Sequence, residues 1–276
     1  MARFENSGTL PVSSFNIGGP NIPLFSSAMK FGVLIAVLLA CSSVACGQNA
    51  DTVSSDRPSF SSSTSIVPRG HIQLEGGAGR RRYGDTTGYD IGELLVRLGL
   101  SDHVEVRVGV PSYVVSRNSG VQQSGADDLL LEGKFYVNTK DRLAYGFLAN
   151  AVLPTGSRSV SEHKFQPGAA FVSDLTVSKV VSITSNVGYS WASNSGQRYN
   201  YTFAVSTINI ALRSDLFLFT EFYLFHQSGV QKYGASGLDW IVKKKTSFDV
   251  SVGFGLPGNH AHGPDRYYSI GISRLF

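Results

Sequence analysis

Residues Tyr267-Tyr268-Ser269-Ile270-Gly271-Ile272-Ser273-Arg274-Leu275-Phe276 alternate large apolar with small polar side chains and run into a terminal phenylalanine. Successive residues of a strand point to opposite faces, so Tyr268, Ile270, Ile272 and Phe276 share one face while Ser269, Gly271 and Ser273 share the other. One greasy face and one small polar face is the pattern of a strand set between lipid and the lumen of an outer-membrane barrel. Arg274 lies in the apolar phase, where a long basic side chain at the membrane boundary can reach the headgroups.

The same alternation extends back through the chain. From His71 onward the sequence divides into about twelve segments of roughly ten residues, the length a tilted strand needs to cross a bilayer. They fall at 71–83, 89–100, 104–115, 126–137, 143–153, 167–177, 180–192, 199–212, 216–226, 234–242, 246–256 and 266–276. An even number returns both barrel ends to one side of the membrane. Every second connection is short and polar: Ser101-Asp102-His103, Asn138-Thr139-Lys140-Asp141, Ser178-Lys179, Arg213-Ser214-Asp215 and Lys243-Lys244-Lys245. These read as periplasmic turns, and the longer Ser116–Gly125, Pro154–Lys164 and Pro257–Asp265 as extracellular loops. A soluble sandwich has no reason to alternate short and long connections in register. The predicted fold class is all-β, a transmembrane antiparallel up-and-down β-barrel of about twelve strands, of outer-membrane type.

Facing follows from cost. A basic residue turned to lipid near the midplane costs about 2 to 4 kcal/mol, so the polar phase of each strand must face the lumen. On 104–110 that phase holds Glu105, Arg107 and Gly109, and on 246–256 it holds Asp249, Ser251, Gly253 and Gly255. The lumen-lining, selectivity candidates are therefore Glu75, Arg81, Glu93, Arg97, Glu105, Arg107, Glu132, Lys134, Glu221, Asp239 and Asp249, with Asp174 beside them. They read either as a charged constriction that selects solutes or as a paired network that fills the barrel and holds its register. Segment 199–212 breaks the pattern: Tyr201, Phe203 and Val205 lie in one phase and Ile208, Ile210 and Leu212 in the other, which predicts a bulge near Ser206-Thr207. Tyr113, Tyr136, Tyr189, Trp191, Tyr199, Tyr201, Tyr223, Trp240, Tyr267 and Tyr268 lie toward strand ends, as interfacial girdles do; Tyr136 and Tyr223 are the inward ones.

Upstream of the barrel, Lys30, the apolar run from Phe31 to Ala40 and Ala45-Cys46-Gly47 have the three regions of a secretory signal. The reading assigns 29–47 to a signal peptide, 1–28 to an upstream extension before a start at Met29, 48–70 to a flexible periplasmic lead-in or a short plug at the barrel mouth, and 71–276 to the barrel. Both cysteines, Cys41 and Cys46, fall in the targeting region, which leaves the barrel without thiol chemistry; acylation of Cys41 is the rival reading. With 276 residues, 42% hydrophobic, mean hydropathy +0.01 and a net charge of +4, nothing suggests helical spans or a nucleic-acid groove.

Catalytic and metal signals are thin. His226-Gln227-Ser228 is the nearest approach to a hydrolase cluster, but serine is abundant enough for chance to supply it. His260-Ala261-His262 with Asp265 lacks a third strong metal ligand. No enzyme, cofactor or metal is expected.

Five stretches stand out: Ser55-Asp56-Arg57-Pro58-Ser59-Phe60, Val67-Pro68-Arg69-Gly70-His71-Ile72-Gln73-Leu74-Glu75-Gly76-Gly77, Leu98-Gly99-Leu100-Ser101-Asp102-His103-Val104-Glu105-Val106-Arg107, Leu153-Pro154-Thr155-Gly156-Ser157 and Val252-Gly253-Phe254-Gly255-Leu256. In them the chain resembles the outer-membrane family named after the meta-pathway of phenol degradation, often labelled as transporters. The resemblance implies a barrel that passes small, often aromatic, compounds and supplies no agreed binding residues. The expected function is an outer-membrane pore or facilitated channel for small solutes, aromatic or hydrophobic ones included, in a diderm bacterium. Its expected partners are membrane lipid, the solute, and the barrel-assembly machinery through the strand ending at Phe276. The alternatives are a closed structural or adhesive barrel and, from a third class, a membrane-embedded hydrolase. Signal cleavage predicts a mature chain beginning at Gln48 and acylation one beginning at Cys41; the intact mass of protein extracted from membranes separates them.

Overall fold

The computed structural model describes residues 52–137, 142–194, 197–226, 229–258 and 265–276. Among them there is no helix, and fourteen strand segments form a single antiparallel sheet. In chain order they are β1 (Ile72–Tyr83), β2 (Thr86–Gly99), β3 (Val104–Val110), β4 (Tyr113–Asn118), β5 (Val121–Ala126), β6 (Leu129–Val137) and β7 (Leu143–Leu153), followed by β8 (Gln166–Thr176), β9 (Val181–Asn194), β10 (Gln197–Ala211), β11 (Leu216–His226), β12 (Val230–Val242), β13 (Thr246–Gly255) and β14 (Arg266–Leu275). β1 pairs with both β2 and β14, so the sheet closes on itself, and among the described strands β5 alone is paired on one side only.

Fourteen segments make twelve barrel strands. β3 and β4 both lie along β2, one after the other, and β6 and β5 lie along β3 and β4 in the same way. The first interruption is at Pro111-Ser112, where proline has no amide to donate; the second, at Asp127-Asp128, faces it, and Asp127 N donates to Ser112 O at 2.9 Å. At the same level β2 bulges: Gly77 pairs with Glu93 and Ala78 with Ile91, leaving out Gly92, whose φ of 73° suits glycine. Three neighbouring strands thus bend together.

The outward face is apolar as expected, with Phe248, Val250, Val252 and Phe254 on β13 and Tyr268, Ile270 and Ile272 on β14 all exposed. Arg274 stays in this face, donating to Thr246 Oγ1 at 2.7 Å with its guanidinium 5.8 Å from the Phe276 ring centroid. Tyr113, Tyr189, Trp191, Trp240 and Tyr268 are exposed on the outside and suit a girdle. Turns 101–103, 178–179, 213–215 and 243–245 lie at the rim that also holds the starts of β1 and β3.

Two expectations need correction. Pairing of β10 with β9 and β11 runs without a register shift, so no bulge occurs at Ser206-Thr207. Instead Tyr201, Phe203, Val205 and Thr207 all face inward and are buried, and Ile208 and Leu212 face out; the lumen itself accepts an apolar patch here. Residues 116–125 are not an open loop but a tight hairpin, Asn118 paired with Val121 across Ser119 and Gly120, both at positive φ. A strand beyond the bilayer has no thickness to obey and can keep its ladder. Residues 138–141, 227–228 and 259–264, and with them most of the His226-Gln227-Ser228 and His260-Ala261-His262 motifs, lie outside the described residues.

Val250 sits at the middle of β13's lipid-facing side, so Val250→Arg is expected to lower stability in bilayers by about 2 to 4 kcal/mol, read from the urea unfolding midpoint.

Candidate functional site

The stretch before β1 has no sheet periodicity, being rich in serine, yet it lies inside the barrel. A backbone without secondary structure must find other partners for its amides and carbonyls once it leaves water. The barrel wall supplies them. Val53 N donates to Lys244 O of a rim turn at 2.7 Å, and Gln73 Nε2 donates to Ser54 O at 2.9 Å. The chain then rises to Phe60, whose amide donates to both oxygens of Glu221 at 3.1 and 2.9 Å. On the way back, Ser62 N donates to Asn186 Oδ1 at 2.7 Å, Thr64 N to Asp174 Oδ2 at 2.5 Å and Val67 N to Glu105 Oε2 at 2.5 Å. Gly70 N reaches Gly99 O at 2.8 Å, beside the start of β1. Residues 52–70 therefore form a hairpin-shaped insert with both limbs at the turn rim and an apex near Phe60.

The sequence-derived charges hold this insert. Arg97 donates to Glu75 Oε1 at 2.5 Å and to Glu105 at 2.9 and 3.1 Å, and its Nη1 and Nη2 bond the carbonyls of Ser54 and Ser65. Arg107 meets Glu105 at 2.5 Å, Glu132 at 2.9 Å and Asp56 at 2.6 Å, while Lys134 meets Asp56 at 3.2 Å. Burial works to raise the Asp56 carboxyl, but Lys134, Arg107 and Arg97 around it outweigh burial and hold it well below the usual carboxylate range. Arg57 donates to Glu93 Oε2 at 2.6 Å and to Ser269 Oγ at 2.8 Å and lies 3.5 Å from Asp249 Oδ2. Its guanidinium occupies the space a Cβ would take at Gly77 and Gly271, so two missing side chains make its seat.

At the apex Phe60 enters an aromatic patch. It stacks on Tyr223 at 5.0 Å between centroids and meets Phe203 and Phe225 edge-on at 5.7 and 5.1 Å; Tyr223 stacks in turn on Tyr233 at 5.1 Å. Above the insert lies a cavity of about 230 Å³, floored by Asp56–Ser62. Tyr223, Phe225, Tyr233 and Tyr267 line it on one side and Arg81, Asp90, Glu93 and Glu132 on the other. A second cavity, about 420 Å³, lies against the two limbs and is lined by Gln73, Phe217, Asp239 and Ile241.

Residues 55–266 match the family described as "Putative MetA-pathway of phenol degradation". The chain belongs to this family. Among solved structures it is similar to an outer membrane channel from Pseudomonas putida F1, with 11% identity, 77% of this chain and 97% of that one covered, and a TM-score of 0.62. It is also similar to the NanC porin (13% identity, 74% and 98% covered, TM-score 0.52) and to a KdgM porin in complex with a disordered oligogalacturonate (10%, 75% and 99%, 0.50). At such identities the likeness is one of fold. A comparison with curated proteins gives no match.

In this family member all eleven sequence-derived charges face the lumen. Glu75, Arg97, Glu105, Arg107, Glu132 and Lys134 form one cluster around Asp56; Glu93 and Asp249 hold Arg57; Arg81 pairs with Asp90; Glu221 caps the apex amide. Asp239 stands opposite Asp249 across β12 and β13. Tyr223 lies in the inward patch as expected, and Tyr201 and Tyr267, grouped above with the girdle alone, join it there. Asp90 was missed because strict alternation from Glu93 turns it outward; Gly92 inside a strand was the available sign of a bulge.

Asp56→Ala removes the shared partner of Arg107 and Lys134 and leaves buried cations uncompensated, a loss of about 3 to 5 kcal/mol. Amide exchange at Ser62, Thr64 and Val67 is expected to accelerate by orders of magnitude while the β13 amides stay protected.

Proposed function

We propose that this protein is an outer-membrane pore for small solutes, aromatic and hydrophobic ones included, closed at rest by its own residues 52–70. The observation that carries this reading is the insert itself. It belongs to no strand, it is held by side chains rather than by the sheet ladder, and cavities lie on both sides of it. A segment held in this way can withdraw without opening the barrel wall. The apolar outer band supports a seat in the outer membrane, and the exposed terminal Phe276 suits delivery by the barrel-assembly machinery. With the turns facing the periplasm, the two-faced cavity opens toward the cell exterior and meets the solute first. An apolar cavity of about 150 Å³ accepts benzene, so 230 Å³ gives room for a one-ring molecule.

A closed structural barrel is the second reading, favoured by the number of wall groups already committed to the insert. Among the described residues no cluster of three or more His, Cys, Asp and Glu could hold a metal ion, and Gln227 and Ser228 of the hydrolase motif lie outside those residues.

Planar-bilayer recording separates the two main readings. The mature chain is expected to show brief, low-conductance openings, and deletion of residues 52–64 or Asp56→Ala to convert these into long-lived open levels. A correctly folded deletion variant that carries no current would favour the structural barrel.

A further inference from the structure

The 230 Å³ cavity carries an imbalance that the insert does not use up. Seven carboxylates line it against three guanidiniums. Two of those carboxylates, Asp90 and Glu93, each give one oxygen to an arginine: Oδ1 of Asp90 to Arg81 and Oε2 of Glu93 to Arg57. Their second oxygens, Asp90 Oδ2 and Glu93 Oε1, are buried and have no hydrogen-bond partner. The Asp90 side chain is only 4% exposed. A buried carboxylate oxygen left without a donor forfeits the hydrogen bonds it made in water, so two side by side call for a shared donor.

Their position is set by the backbone. The bulge at Gly92 turns both Asp90 and Glu93 inward, Asp90 opposite Gly79 and Glu93 opposite Gly77. Gly79 has no side chain, and the point its Cβ would occupy lies 3.8 Å from Glu93 Oε1 and 3.9 Å from Asp90 Oδ2. The result is a notch in the cavity wall, bounded by two acceptors. Tyr223, Tyr233 and Tyr267 line the same cavity and give it an aromatic wall against which an apolar body can pack.

We propose that this notch binds a small organic cation, an ammonium group carried on a single ring or a short apolar body. The ammonium donates to Asp90 Oδ2 and Glu93 Oε1 above Gly79, and the apolar body lies toward the tyrosines. This deepens the pore reading by naming the solute class the vestibule admits, but binding and conduction are measured separately.

The test is calorimetric titration of the refolded full-length barrel in detergent with benzylammonium, benzoate and benzyl alcohol, which share a ring and differ in charge. Benzylammonium is expected to bind at least tenfold more tightly than either of the others. Gly79→Ala fills the notch without altering any charge, and its methyl would sit 3.5 Å from Tyr268 O, an ordinary contact, so the barrel still folds. Both Gly79→Ala and Glu93→Gln are expected to weaken benzylammonium at least tenfold, with heat-modifiable gel migration confirming the fold. Binding of benzoate as tight as that of the cation, no binding of benzylammonium to the wild-type barrel, or unchanged affinity in Gly79→Ala would each overturn the proposal. Cation binding to a barrel that never conducts upholds the notch and overturns the pore reading.

Discussion

Hydrocarbon offers no partner for a stray amide or carbonyl, and the whole structure answers to that constraint. The sheet must close, so β1 joins β14 as well as β2. Each strand must then turn its apolar residues out and its polar residues in. The charged lumen is a consequence of this sorting before it is anything else.

The same constraint acts a second time inside the barrel. Residues 52–70 cannot form a ladder of their own, so their amides are met by Glu221, Asn186, Asp174 and Glu105, and their carbonyls by Arg97 and Lys134. Charges that look like a selectivity ring in one dimension become sockets for a backbone in three. What the insert does not take up is the side of the aromatic patch that lines the upper cavity and the second oxygens of Asp90 and Glu93.

The period of two made the architecture legible. The twelve strands, their facing and the inward charges followed from alternation and from the cost of charge in lipid. Where the period faltered, so did the reading. Tyr201, Phe203 and Val205 looked like the lipid side of a bulged strand because apolar residues were assumed to face lipid, and only pairing with β9 and β11 shows that the strand is regular and the patch internal. Asp90 was hidden by a real bulge two residues on. For 52–70 there was no period at all, and its side-chain partners on the barrel strands lie between 19 and 218 residues away along the chain.

Arg57 ties two properties of the barrel together. It bonds Glu93 on β2 and both Ser269 Oγ and Ile270 O on β14, reaching across β1, the strand whose pairing closes the cylinder. The residue that anchors the insert therefore also braces the seam where β1 meets β14. Drawing the insert out removes that brace while the backbone ladder stays paired, so the freedom of the passage and the stiffness of the cylinder trade against each other through one side chain.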